Sequence, residues 1–219
     1  MVHGVPTIPA RRSARLAGRP LLAAGAFLAL ASQVFATIVA PLDFGELHRR
    51  SGRLFHGRCV SRREVFDGGT VPHTEYVFEV VEGVKGCRGP DGATAKTVAF
   101  RHAGTRSGAP RPDGLEVPPL RLGVPEYEPG EEVVLFLTRE APSGLCAPVG
   151  LAQGVFRVKR SEGKATVRAP FGGRRLFAAV RAEAFEGIGS GAAAVLRDRS
   201  DEIPLETFLE LCRRFRGSP

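Results

Sequence analysis

The chain of 219 residues has no tryptophan, no asparagine, only two tyrosines (Tyr76 and Tyr127), and just four lysines among its 31 basic residues. Without tryptophan and with two tyrosines beside 14 phenylalanines, the chain is poor in the amphipathic aromatic platforms that line a basic groove for single-stranded nucleic acid, which argues against that class. The basicity is thin as well. The formal net charge is +8, but the first 36 residues carry Arg11, Arg12, Arg15 and Arg19 and no acid, leaving 27 basic against 23 acidic residues beyond them. That balance gives no nucleic-acid footprint. The cysteines Cys59, Cys87, Cys146 and Cys212 are separated by 28, 59 and 66 residues and contain no CxxC, which excludes a zinc knuckle or a thioredoxin-type motif. There is no G-x-S-x-G, HxH or HExxH. His48, His56, His73 and His102 stand singly, so no nucleophile, metal or cofactor is read from the chain. Gly187, Gly189 and Gly191 imitate a dinucleotide fingerprint, but they follow the charged stretch RAEAFE where that motif requires a strand.

What is present begins with a tripartite N-terminus. The four arginines form a positive region, Leu21–Ala31 reads LLAAGAFLALA without a charge, and Val34 and Ala36 are small residues at signal-peptidase positions. Residues 1–36 therefore read as a secretory signal, with Thr37 as the new N-terminus. An apolar stretch of 11 residues falls short of the about 20 needed to span a bilayer. The expected product is exported, periplasmic or extracellular, with no membrane span after processing. In such a compartment the four cysteines are free to form disulfides.

Behind the signal, Asp43 and Glu46 have capping-box spacing for a short helix with Phe44 and Leu47 on its apolar face. From Arg53 the period changes to two, giving a strand to Ser61. Turn residues Asp67-Gly68-Gly69 lead to a second strand, TEYVFEVVEGV, and the pair reads as a hairpin. Thr97–His102 is a third strand. Six prolines between Gly104 and Pro129 mark an irregular crossing. It ends at VVLFL, a run short and apolar enough for a strand buried on both faces. Phe156 and Val158 then pair across a turn with Ala165 and Val167. The segment 170–200, rich in Gly, Ala and Arg, reads as a linker. From Pro204 a last helix repeats Leu205, Phe208, Leu209, Cys212 and Phe215 at helical spacing. The organisation expected is a signal (1–36), a β-barrel domain (37–169), the linker (170–200) and a C-terminal helix (201–219) packed on the barrel. The core candidates are Phe55, Tyr76, Phe78, Val80, Phe100, Val134, Phe136 and Phe156.

Four segments taken together, LFHGRCVS, TEYVFEVVEGVKG, LGVPEYEPGEEVVLFL and APVGLAQGVFRV, resemble a group of uncharacterised exported bacterial proteins. They are distantly similar to the OB-type barrels of netrin modules and tissue inhibitors of metalloproteases. The resemblance covers residues 53–158. It implies a mostly β fold, a small closed or partly open OB-like barrel with a short N-terminal helix and a C-terminal helix, and it implies no activity. The inhibitors clamp a protease zinc with an N-terminal cysteine, whereas Thr37 is expected at that place here. OB-type topology brings the loops carrying Cys87 and Cys146 to one end and so implies that these two pair, leaving Cys59 for Cys212. Cys59 with Cys146 and Cys87 with Cys212 is the alternative, and free buried thiols are a third outcome.

The functional expectation is a non-catalytic exported module that binds a protein or envelope component, with no nucleic acid. Glu126, Tyr127, Glu128 and Glu131 form the candidate contact loop. The alternatives are an extracytoplasmic enzyme with a dispersed site, sought first around Glu131, and an accessory module of an exported protease. If the signal reading holds, N-terminal sequencing of protein from the native host begins at Thr37 and the material is recovered outside the cytoplasm; an intact Met1 on a cytoplasmic product would overturn it.

Overall fold

A seven-stranded antiparallel sheet organises the chain, with strands in the order β3-β2-β1-β6-β7-β8-β9. The structure, a computed structural model, describes residues 40–66, 68, 71–89, 91–111 and 113–216. The expected signal and the new N-terminus at Thr37 lie outside the described residues. The strands are β1 (Arg53–Val65), β2 (His73–Lys85), β3 (Thr97–Ala103), β6 (Glu132–Leu137), β7 (Val155–Ser161), β8 (Lys164–Arg168) and β9 (Glu202–Pro204). Two short strands, β4 (Ala109–Pro110) and β5 (Glu116–Val117), pair with each other in the proline-rich crossing. Strand outweighs helix, 38% to 22%, so the mostly β reading holds, but the sheet is not closed into a barrel.

The helix α1 (Phe44–Arg50) starts where Asp43 Oδ1 accepts a hydrogen bond from the backbone N–H of Glu46 at 2.8 Å, satisfying one of the first-turn donors that a helix leaves unpaired. The rest of the capping box does not form: the Glu46 carboxylate turns instead to Arg49 and Arg50. The hairpin of β1 and β2 forms, with register shifts at three places. At its far end Gly86 takes φ +64°, and a Cβ there would collide with the carbonyl of Gly52, so the strand can end in this turn only on a glycine.

The run VVLFL lies in β6, whose six residues are all buried. Alternation along it divides the core in two. Val134 and Phe136 point to one cluster, which holds Leu54, Phe156 and the helices; Val133, Leu135 and Leu137 point to the other, with Phe55, Tyr76, Phe78, Phe100 and Tyr127. Seven of the eight core candidates are buried, and Val80 is partly buried against the second cluster. A segment after β6 also reaches back across that cluster. Thr138 N–H donates to the carbonyl of Ala147, and Cys146 N–H donates to that of Arg101 on β3.

The linker reading of 170–200 does not hold. This stretch folds into α2 (Gly173–Leu176), a 3-10 turn at Ala182–Ala184, and α3 (Ser190–Asp198). Leu176, Phe177, Val180, Phe185, Val195 and Leu196 are buried in the helical cluster. The described residues, from 40 onward, belong to one compact unit. The final helix α4 (Leu205–Arg214) buries the expected stripe, with Phe208 fully enclosed. The expected disulfides are not formed: all four thiols are free and buried. Cys59 belongs to one cluster and Cys212 to the other, so the sheet itself stands between them. Replacing Phe136, fully buried beside Phe44, Phe156 and Phe208, with alanine is expected to cost about 3–5 kcal/mol in urea unfolding. A loss under about 1 kcal/mol would mean that β6 is not the centre of the core.

Candidate functional site

The loop Glu126–Glu131 is not an open acidic patch. Side chains alternate over Glu126, Tyr127 and Glu128: Tyr127 turns inward and is fully buried, with its ring 5.1 Å from Tyr76 and 5.3 Å from Phe78 between centroids. The acids turn outward onto arginines. Glu128 Oε1 accepts from Arg62 at 3.0 Å and from Arg106 at 2.7 Å, Glu126 Oε2 lies 3.6 Å from the same two guanidinium groups, and Glu131 Oε1 accepts from Arg157 at 2.6 Å. Arg62 also bonds Glu64, whose carboxylate accepts the backbone N–H groups of Arg106 and Ser107. These hydrogen bonds outweigh the desolvation of Glu64 and hold its pKa below the usual carboxylate value. The loop is thus laced to β1, β7 and the crossing. Its four expected contact residues divide into one core side chain and three neutralised carboxylates.

Beside this loop lies a cleft of about 850 Å³, floored by Val155 and Ala169 and bounded by Gly123, Val124 and Pro125. Arg157, Lys159 and Arg168 line it. They stand on β7 and β8 opposite the side on which Phe156 and Val167 enter the helical core, so this part of the sheet has an uncovered face. Arg157 is tied to Glu131, whereas Lys159 and Arg168 make no ion pair among the described residues. At the rim Phe171 is 53% exposed. Asp201, also in the lining, is occupied by the backbone N–H of Gly173 at 2.7 Å. The cleft therefore offers an apolar floor, an exposed ring and two positive charges without an ion pair among the described residues.

A second groove, about 570 Å³, opens on the other side of the sheet between β2, β8 and α4, with His56, Arg160 and Leu209 in its lining. Glu132 is buried beneath it. His56 Nε2 is 2.7 Å from Glu132 Oε1, and Arg160 donates to both carboxylate oxygens at 2.9 and 2.6 Å. The register explains the meeting, since Arg58 faces Glu132 across β1 and β6, and Arg160 extends the same side of β7. The Arg160 hydrogen bonds, joined by that of His56 and opposed by desolvation, pull the Glu132 pKa down to about 2. The carboxylate is ionised at neutral pH. A carboxylate bonded to an imidazole fixes a tautomer, but no hydroxyl or thiol hydrogen-bonds His56 among the described residues.

The third feature is a pocket of about 160 Å³ with His102 in its wall. His102 is 4% exposed, and neither ring nitrogen has a hydrogen-bond partner among the described residues. Burial pushes its pKa down to about 4. The thiols are inert by the same physics: desolvation raises Cys59 to about 11 and lifts Cys87, Cys146 and Cys212 above the ordinary value.

Sequence reading missed the burial of Glu132, and missed Arg160, Lys159 and Arg168 as site residues. One signal was visible for Glu132, a carboxylate at the start of an otherwise apolar strand, which must find a partner when buried. Its partners come from β1 and from 28 residues downstream, and no local pattern announces them. No group of three or more His, Cys, Asp or Glu among the described residues has the geometry to hold a metal. No helix among them is long and apolar enough to cross a membrane. Comparison with known protein families, with curated proteins and with solved structures finds no match.

The Glu132 cluster makes a pH prediction. A carboxylate depressed from about 4.5 in the unfolded chain to about 2 in the fold stabilises the fold above pH 4.5 and loses that contribution as the pH falls through 2. Glu132→Gln is expected to cost about 3 kcal/mol at pH 7, because it leaves Arg160 and His56 facing a neutral group. The gap to wild type should narrow by about 2 kcal/mol between pH 6 and pH 3 in urea unfolding. A pH-independent gap would show that the charge on Glu132 contributes nothing.

Proposed function

We propose that this protein is an exported, non-catalytic binding module whose docking site is the open cleft of β7 and β8, and that its occupant is an acidic, partly apolar, extended segment of another protein. The observation that carries the reading is the pair Lys159 and Arg168, positive and unpaired on an uncovered sheet face beside the exposed ring of Phe171. Nearby, Arg62, Arg106 and Arg157 are countered by Glu126, Glu128 and Glu131, whereas Lys159 and Arg168 make no ion pair among the described residues. An apolar floor with charged walls selects a ligand with matching alternation, and charge complementarity sets partner choice more than raw affinity. An extended segment fits because side chains of a strand alternate between two faces. Export rests on the tripartite N-terminus, and the OB-like reading of β1, β2, β3 and β6 rests on the resemblance together with the hydrogen bonds that the Ala147 region makes to β6 and β3.

A second reading, an extracytoplasmic enzyme, is favoured by the His56–Glu132 contact in the groove. It is weakened by the two Arg160 bonds that hold the carboxylate as a structural anchor. The region first suspected for such chemistry, around Glu131, is committed to Arg157.

The test is fluorescence anisotropy with a labelled peptide of alternating glutamate and leucine, against a lysine and leucine control. Wild type should bind the acidic peptide alone, with affinity falling as salt rises. The double variant K159E/R168E should bind at least about tenfold more weakly with unchanged unfolding behaviour. Equal affinity of wild type and the charge-reversed variant would remove the cleft from consideration.

A further inference from the structure

The pocket at His102 is assigned no role by the cleft reading. The ring of His102 is 96% enclosed and carries two polar nitrogens without a partner among the described residues, next to a space of about 160 Å³. Buried polar atoms in folded proteins are almost always satisfied, and leaving one unpaired costs about 1–3 kcal/mol. The pattern on β3 explains how the ring arrives there: Val98, Phe100 and His102 share a face, and the first two fill the core beside Tyr76 and Phe78. His102 occupies the next inward place, where the core ends and the pocket begins.

The charges facing the pocket decide what fills it. Arg106 and Arg121 stand in its lining, with one acid, Glu126. The Glu126 carboxylate already lies 3.6 Å from both Arg62 and Arg106. Arg121 makes no ion pair among the described residues. Of the other polar groups in the lining, Thr74 Oγ1 donates to the carbonyl of Gly104 and Thr105 exchanges backbone hydrogen bonds with Leu120, while the Tyr76 ring lies 5.9 Å from that of His102 and burial pushes its hydroxyl up to about 12, so it stays neutral. One imidazole and one carboxylate are too few donors for a transition metal site. An imidazole N–H deep in the pocket and an uncountered guanidinium at its edge instead suit a small anion.

We propose that this pocket is a binding site for a small oxyanion, a short carboxylate or an inorganic phosphate, held by an N–H of His102 and by Arg121. A space of about 160 Å³ matches a small ion of acetate or phosphate size. An anion against His102 favours the imidazolium, offsetting the burial that otherwise holds the ring neutral. The proposal does not rest on the acidic-segment reading of the cleft, although Gly123 and Val124 wall both spaces.

The experiment follows the imidazole signals of isotopically labelled protein by NMR while sodium acetate, and separately inorganic phosphate, is added at constant ionic strength. A saturable change at His102 is expected, with its titration midpoint rising by at least about one pH unit, a tenfold coupling between proton and anion. The larger citrate ion should produce none. Arg121→Gln, at an exposed position, should weaken the anion about tenfold without altering unfolding. His102→Phe, if it folds, should abolish the high-affinity response. A His102 signal unmoved by either anion, or moved equally by citrate, would show that the pocket holds water only and would overturn the proposal. Loss of acidic-peptide binding with the acetate response intact would dispose of the cleft reading and leave this one standing.

Discussion

The architecture depends on β6 being buried on both faces. A strand with one wet face can anchor a single core, but Val133, Leu135 and Leu137 enter one cluster while Val134 and Phe136 enter the other. Every other element is then obliged to cover one side or the other. The hairpin of β1 and β2, with β3, wraps the side of Tyr127. The helices α1 to α4 cover the other, meeting around Phe44, whose ring lies within about 6 Å of Phe136, Phe177, Phe185, Phe208 and Phe215. Two cores back to back on one sheet form a layered arrangement of the kind that buries sheet and helix faces together.

Charge takes over where apolar burial stops. Glu132 is the first residue of β6 and the only acid among its six, and it is met by His56 and Arg160 from the neighbouring strands. One turn earlier in the chain, Glu126, Glu128 and Glu131 bind arginines from β1, β7 and the crossing. Exposed pairs of this sort contribute little singly. Their effect here is positional, because they hold a loop with little regular structure against the mouth of the aromatic core and so define the walls of both the cleft and the His102 pocket. Lys159 and Arg168 stand out against this background because Arg62, Arg106 and Arg157 are spent on carboxylates.

Much of the fold was legible because its burial patterns are local. Alternation in β1 and β2, the apolar run in β6 and the helical stripe ending at Phe215 each declare themselves within ten residues or so. The segment 170–200 was opaque for the opposite reason. Leu176, Phe177, Val180 and Phe185 follow no period, since the elements that carry them are only three or four residues long, and their burial is dictated by the cavity they fill. Of the closed or partly open barrel implied by resemblance, closure is absent, because β7 pairs with β6 and carries β8 and β9 onward from it. Tyr127 was misjudged by its neighbours. Flanking acids and prolines suggested a surface loop, yet the alternation Glu126, Tyr127, Glu128 was itself the sign that the ring pointed inward. The candidate sites were the least legible part, since Lys159 with Arg168, and His102 with Arg121, meet only through tertiary structure.

The placement of the four thiols has a consequence for the life history of the chain. Once folded, each cysteine is buried and held as the unreactive thiol, and Cys59 and Cys212 are divided by a sheet. An oxidant meets them only before the two clusters close. The redox fate of the protein is therefore settled by a race between collapse and thiol oxidation. A chain that folds promptly carries its cysteines as small apolar core residues. A delayed chain can be trapped by a cross-link between Cys59 and Cys212 that the native topology cannot accommodate.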